Sequence, residues 1–164
     1  MSNLKNNSQF FHYLLLIVTL CIYTNGQAQS SETELPGLDN PVYYKATDSI
    51  VADIPNQIIK LYGEANVTYD DVVLNASIIE IDINSNEVSA YYSLDSLGEP
   101  IGKPIFTQGG EEIKCESLKY NFDTKKGYIT EVRTQQGDGY IHMAESKIHP
   151  NEEIHFKDGK YTSC

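Results

Sequence analysis

Leu74-Asn-Ala-Ser-Ile-Ile-Glu-Ile-Asp-Ile83 changes the parity of its apolar residues halfway along. They fall first on even positions, Leu74, Ala76 and Ile78, and then on odd ones, Ile79, Ile81 and Ile83. Strict alternation describes a half-buried strand, because successive side chains point to opposite faces of a sheet. A slip of parity inside such a run moves the buried face to the other side, which takes a bulge or a sharp bend.

The slip recurs. Downstream, Ile113 and Cys115 are followed by Leu118, Tyr120 and Phe122, and Ile141 and Met143 by Ile148. A weaker copy lies upstream in Lys45–Asp53, where Ile50 stands in the place of Ile79. Each copy is followed by a second short strand: Ile58–Tyr69, Glu87–Tyr92, Gly127–Thr134 and Glu153–Tyr161. Turn signals separate them at Pro55-Asn56, Asn84-Ser-Asn86, Thr124-Lys-Lys-Gly127, Gly137-Asp-Gly139 and Pro150-Asn151. No apolar period near 3.6 residues stands out, so almost no helix is expected.

The spacing gives a period. Ile50 to Ile79 is 29 residues, Ile79 to Leu118 is 39 and Leu118 to Ser146 is 28. The long interval holds Leu94–Gly110, rich in Gly and Pro, and removing about ten residues there restores a repeat of roughly 29. A sheet that bends at the same place in every repeat folds onto itself, so two sheets face each other. The expected fold is all-β, a sandwich or jelly roll of bent-strand repeats whose long edges need not close. Its inner face is expected to carry Ile59, Leu61, Leu74, Ala76, Ile79, Ile81, Ile113, Leu118, Tyr120, Ile141, Met143 and Ile148. These residues alone are also what a filled sandwich core with no ligand would show, and most sandwiches are simply packed.

The chain has 164 residues, with 23 Asp and Glu against 12 Lys and Arg. Arg133 is its only arginine. A nucleic-acid partner is disfavoured, since phosphate binding needs concentrated positive charge. Residues 1–12 are polar and carry Lys5, Tyr13–Tyr23 is an apolar run, and Gly26-Gln-Ala28 offers the small residues of a cleavage site. Residues 1–28 therefore read as a signal peptide that exports the chain and takes Cys21 with it. Residues 29–41 read as a polar linker, and 42–164 as the folded domain. Cys115 and Cys164 then remain, able to pair with each other or with another chain in an oxidising compartment. Cys115 sits where Ala76 sits in its own copy, so a small buried hydrophobe is its simpler reading.

No catalytic, cofactor or metal constellation stands out. His142, His149 and His155 are spaced seven and six apart and need not converge along strands. Asp70-Asp71 and Glu111-Glu112 are adjacent pairs, and neighbours on a strand point to opposite faces, so both read as solvated turns.

Several strings resemble the OstA-like repeats of the LptA-like lipopolysaccharide transport family. They include Ala46-Thr-Asp-Ser-Ile50, Leu61-Tyr-Gly-Glu-Ala-Asn-Val-Thr-Tyr69 and Leu74–Asp82. Asp95-Ser-Leu-Gly98, Ile101-Gly-Lys-Pro-Ile-Phe106, Tyr120-Asn-Phe122, Lys126-Gly-Tyr-Ile129 and Tyr161-Thr-Ser-Cys164 belong with them. The likeness runs from Val42 to Cys164 and is greatest to the N-terminal periplasmic domain of the family's LptD branch. It implies a partly open twisted β-jelly roll that serves as a non-enzymatic bridge domain of the periplasm, at the outer membrane, and carries lipopolysaccharide acyl chains inside an apolar β groove. It further implies partners of the same jelly-roll type joined by edge-strand pairing, near Val42–Ile50 and Ile154–Tyr161. In the LptD branch an outer-membrane β-barrel is a further partner, tethered by disulfides, and this would be the role of Cys164. Read without the resemblance, the chain is a structural or adhesive secreted β-sandwich with a filled core.

Overall fold

The computed structural model describes residues 29–33, 35, 38–136, 138–151 and 153–163. Every regular element among them is a strand. They are β1 (Gln29–Thr33), β2 (Val42–Ala46), β3 (Ser49–Asp53), β4 (Ile58–Tyr69), β5 (Val72–Asp82), β6 (Glu87–Tyr91) and β7 (Ser93–Leu94). The remainder are β8 (Pro100–Ile101), β9 (Ile105–Gln108), β10 (Glu111–Lys114), β11 (Ser117–Asn121), β12 (Lys126–Gln136), β13 (Gly139–Ile148) and β14 (Ile154–Ser163). The signal-peptide reading of residues 1–28 lies outside the described residues, as does Cys164 and with it the proposed Cys115–Cys164 bond.

The register shows a sheet folded along one line. The first half of β4 pairs with the second half of β5, Ile58↔Asp82 to Tyr62↔Ile78, and their other halves pair from Ala65↔Ala76 to Tyr69↔Val72. Beyond β5 the ladder divides. Residues 78–82 pair with β6, whereas 73–75 pair with β9. One branch runs β6–β11–β12 through residues 126–130, and the other runs β9–β10–β12 through Arg133. Strands β12, β13 and β14 again cross both halves, with gaps in pairing at Glu131, Ala144 and Asp158. Two sheets therefore share their long strands, and each strand bends where it passes from one sheet to the other. All pairings are antiparallel.

The bends line up through backbone hydrogen bonds. The amides of Thr47 and Asp48 donate to the carbonyls of Gly63 and Tyr62 (2.7 and 3.0 Å), Ser77 donates to Gly102 (2.7 Å), and Cys115 donates to Pro104 (3.0 Å). Glu116 donates to Thr130 across the same line (3.0 Å). Three of the bends carry a residue in the left-handed region: Gly63 and Glu64 in β4, Glu131 in β12 and Asp158 in β14. At Gly102, also left-handed, an added Cβ would lie 2.7 Å from the Ser77 Cβ and 3.0 Å from Ser77 backbone atoms, so the chain can cross β5 there only as glycine.

The parity slip is what places the core. In β5 the buried residues are Val72, Leu74 and Ala76, then Ile79 and Ile81. Ile113 and Cys115 are followed by Leu118, Tyr120 and Phe122, and Met143 by Ser146 and Ile148, all buried. One continuous core joins both sheets. The inserted segment is narrower than the sequence suggests. Residues 92–104 leave the ladder and form the small β7–β8 pair, held by Ser77 Oγ against Ser93 Oγ at 2.5 Å. Residues 105–108 rejoin the sheet as β9, with Phe106 opposite both Leu74 and Ile113.

The linker reading of 29–41 needs correction. Gln29–Thr33 is a strand, paired residue for residue with β2, and Leu35 behind it is buried. Its Gln-Ser-Ser-Glu-Thr sequence carries no apolar alternation that could announce a strand, and its register with β2 runs from Gln29↔Ala46 to Thr33↔Val42.

Burial of two ionisable groups makes the domain sensitive to alkali. Desolvation pushes the Cys115 thiol from 9.0 up to about 12, with the nearby Glu116 charge adding to the effect. It also pushes the Tyr120 phenol from 10.0 up to about 12, with Asp71 contributing. Both groups lose a proton more readily when unfolded, so their contribution to stability is full below pH 9 and falls as pH rises towards 12. The melting temperature is expected to be level from pH 7 to about 9 and to drop above it, with a shallower drop in Cys115→Ala. An unchanged melting temperature across that window would contradict the burial of both groups.

Candidate functional site

In a sheet folded on one line, the hairpin ends of the two halves form two facing lips. On one side are the turns at Asp70-Asp71 and Gly109-Gly110, and the turn before Gly139. On the other are the turns at Ile54–Gln57, Ile83–Asn86, Phe122–Lys125 and the connection from β13 to β14. Between the lips the inner face is apolar.

The slit is pinched along part of its length. Tyr69 from one lip meets Phe122 from the other, with ring centroids 5.1 Å apart. Phe122 packs on Tyr120 at 5.8 Å, and Tyr120 on Phe106 at 5.3 Å, so a chain of four rings crosses from sheet to sheet. Buried Leu35 and half-buried Leu38 join the core from the N-terminal side. Burial raises the Tyr69 phenol, helped by Asp70 and Asp39.

Past the rings the slit opens. A cavity of about 240 Å³ lies between the β9–β10 hairpin and the β13–β14 connection, with Phe106, Ile113, Ile148 and Ile154 as its apolar walls and Gln108 and Glu111 at its rim. This mouth gives onto the core itself, since Phe106, Ile113 and Ile148 are core residues and Ile154 packs against them.

Of the twelve residues expected on the inner face, eleven are buried, with exposures between 0% and 6%. Ile141 is half-buried and packs against the same cluster. Ile113 and Ile148 are the two that reach the mouth. Sequence reasoning left out Phe106 and Ile154. The first was hidden in the Gly- and Pro-rich interval, and the second opens a strand whose remaining residues are all exposed.

Cys115 is a buried free thiol, 3.6 Å from the Pro104 carbonyl. The histidines divide. His142 Nε2 lies 2.8 Å from Glu131 Oε2, whereas His149 and His155 do converge, with ring centroids 4.2 Å apart across the β13–β14 connection. A six-residue spacing brings two rings together when a turn falls between them. Among the described residues no group of three or more His, Cys, Asp or Glu gathers as a metal site. Asp70-Asp71 forms the β4–β5 turn and Glu111-Glu112 opens β10, all four exposed to solvent.

No protein-family model matches this sequence, and no curated protein matches it either. Among solved structures the chain is similar to LptH of Pseudomonas aeruginosa, described as the LptA-homologous periplasmic component of the lipopolysaccharide transport device. The TM-score is 0.59 at 11% identity, covering 76% of this chain and 96% of LptH. At that identity the likeness concerns the fold, which is the all-β jelly roll of LptA-like proteins.

Proposed function

We propose that the chain is a periplasmic bridge domain that carries lipopolysaccharide acyl chains along the inner face of its folded sheet. The observation that carries this reading is the mouth between the lips, where Phe106, Ile113, Ile148 and Ile154 lead from a rim of Gln108 and Glu111 into the apolar core. It lies in a fold shared with a transport component. Sequestering a methylene contributes about 0.8 kcal/mol, so a chain of a dozen or so methylenes gains on the order of 10 kcal/mol. A slit that opens lengthwise lets such a chain slide in while its sugars and phosphates stay in water. This role uses no catalytic group and no cofactor. The signal-like residues 1–28 support export, and the strings shared with the LptD branch support a place beside an outer-membrane barrel.

Neighbouring jelly rolls would join at free edges. The Val42–Ile50 edge expected from the sequence is only half available, because β2 is paired on both sides, with β1 and with β4. Among the described residues of the large sheet, β1, β3 and β14 are each paired on one side only, and β14 is the longest of them, with every residue after Ile154 exposed.

A second reading is a structural β-sandwich with no lipid. The near-complete burial of eleven of the inner residues favours it, because a packed core leaves little room for a guest. A photo-crosslinking residue at Ile154 separates the two. In cells that make lipopolysaccharide, the full chain is expected to form a lipopolysaccharide adduct from Ile154, and none from exposed Tyr43 on the outer face. Silence at both Ile154 and Ile113, in a protein that still folds, would leave the filled sandwich standing.

A further inference from the structure

A row of basic side chains crosses the outer face just beside the fold line. The register places Ile105 opposite Lys114, Lys114 opposite Arg133, Arg133 opposite His142 and His142 opposite Lys160. Directly opposed residues share a face, so these five stand side by side across β9, β10, β12, β13 and β14. Phe106, the neighbour of Ile105, points into the core, which puts the row on the outside. Like charges placed opposite each other are destabilising. Here Lys114 and Arg133 are direct neighbours in a chain with 23 acidic residues from which to draw partners.

The acidic residues nearby reach His142 and Lys114 but leave Arg133 uncovered. Glu116 pairs with Lys103, and Glu131 with His142 at 2.8 Å. Glu112 reaches Lys114 only at 3.3 Å, and the two side chains are more than half exposed. Among the described residues Arg133 has no ion-pair partner, although it is the chain's only arginine. Arg133 and Lys114 also overhang a cavity of about 380 Å³. Ile105 and Cys115 form its apolar floor, and Lys103, Glu116 and Glu131 also line it, the two carboxylates being held by Lys103 and His142. An unpaired guanidinium fork beside an ammonium, over an apolar floor, matches a phosphate carried on an apolar group.

We infer that this outer cavity binds a phosphate-bearing ligand, with Arg133 and Lys114 holding the phosphate and Ile105 accepting an adjoining apolar group. The site is on the opposite side of the sheet from the slit and does not depend on the slit's role. Its chemistry fits a phospholipid-like headgroup or a free phosphate, and the test separates them.

Titrations at low salt with dodecyl phosphate, dodecyl maltoside and inorganic phosphate, all below micelle formation, provide that test. Dodecyl phosphate is expected to bind at least tenfold more tightly than dodecyl maltoside. Arg133→Ala is expected to remove that preference, Arg133→Lys to restore part of it, and Lys114→Ala to weaken it. All three variants should melt with the parent, since both positions are exposed. Amide shifts should centre on Ile105, Lys114 and Arg133. Inorganic phosphate binding as tightly as dodecyl phosphate would support the phosphate contact and assign it to a free anion. Equal affinity for phosphate and maltoside head groups, or an Arg133→Ala variant that binds like the parent, would overturn the inference. Adduct formation from Ile154 in the slit would be untouched by that outcome.

Discussion

Ile79→Asp is expected to leave the domain largely unfolded in water. Ile79 has no exposed surface, and its ladder partners Leu61 and Ala90 have none either. The substitution removes a buried isoleucine side chain, worth about 1.5–3 kcal/mol. It also sets a carboxyl among apolar neighbours with no donor, which costs several kcal/mol more whether the group ionises or takes up a proton. Together these approach the whole stability of a domain this size, about 5–15 kcal/mol. Circular dichroism and urea titration would show it. A variant that stays folded and melts near the parent would mean that Ile79 borders open space. That result would argue for a groove wide enough to hold a guest at its centre. The same substitution cannot serve as a clean test of lipid binding, because it removes the fold that makes the slit. Ile154→Glu at the half-buried mouth is the better probe of binding.

The parity of buried residues explains which bends were legible in the sequence. In β5 the buried set steps from Ala76 to Ile79, three residues, so the alternation visibly slips. In β4 it steps from Leu61 to Ala65, four residues, because Gly63 and Glu64 together face the single residue Ser77. Two extra residues restore the parity, so the β4 bend leaves no trace in the apolar pattern. Only the glycine hints at it. β12 does slip, from Ile129 to Val132, but with so few apolar residues on either side that the pattern is not visible. β14 bends at Asp158 with every residue beyond Ile154 exposed, so burial cannot report it at all. The lining residues were legible where two or more apolar residues alternated, as at Ile59 and Leu61, or where the repeat supplied the missing position, as at Ile148. The ring chain was only half legible: Tyr120 stood on an alternating strand, whereas Phe106 followed a Gly- and Pro-rich insertion and Tyr69 ended a strand. The basic row could not be read from the sequence, since Lys114, Arg133, His142 and Lys160 come together only through strand register.

Tyr120→Ala is expected to cost about 3–5 kcal/mol, the range for removing a large buried aromatic side chain. Tyr120 links Phe106 on the facing sheet to Phe122 beyond the end of its own strand, so its loss cuts the four-ring chain and leaves Tyr69–Phe122 as the ring contact across the slit among the described residues. The void it leaves adjoins Phe106, a wall of the 240 Å³ mouth, so it should extend that mouth inward rather than form a sealed hole. An open void behaves differently from a sealed one when a guest is supplied. A ligand that binds only the folded state raises stability by mass action, by about 2.7 kcal/mol at a hundredfold excess over its dissociation constant. Dodecyl maltoside below its micelle concentration is therefore expected to raise the melting temperature of Tyr120→Ala more than that of the parent. Equal shifts in the two proteins would mean the void is closed off from the mouth. The ring chain would then be a packing element of a filled core, not the inner wall of a path for acyl chains. Tyr120→Phe, which keeps the ring and loses the hydroxyl, should melt near the parent, tying the effect to the ring rather than to the phenol.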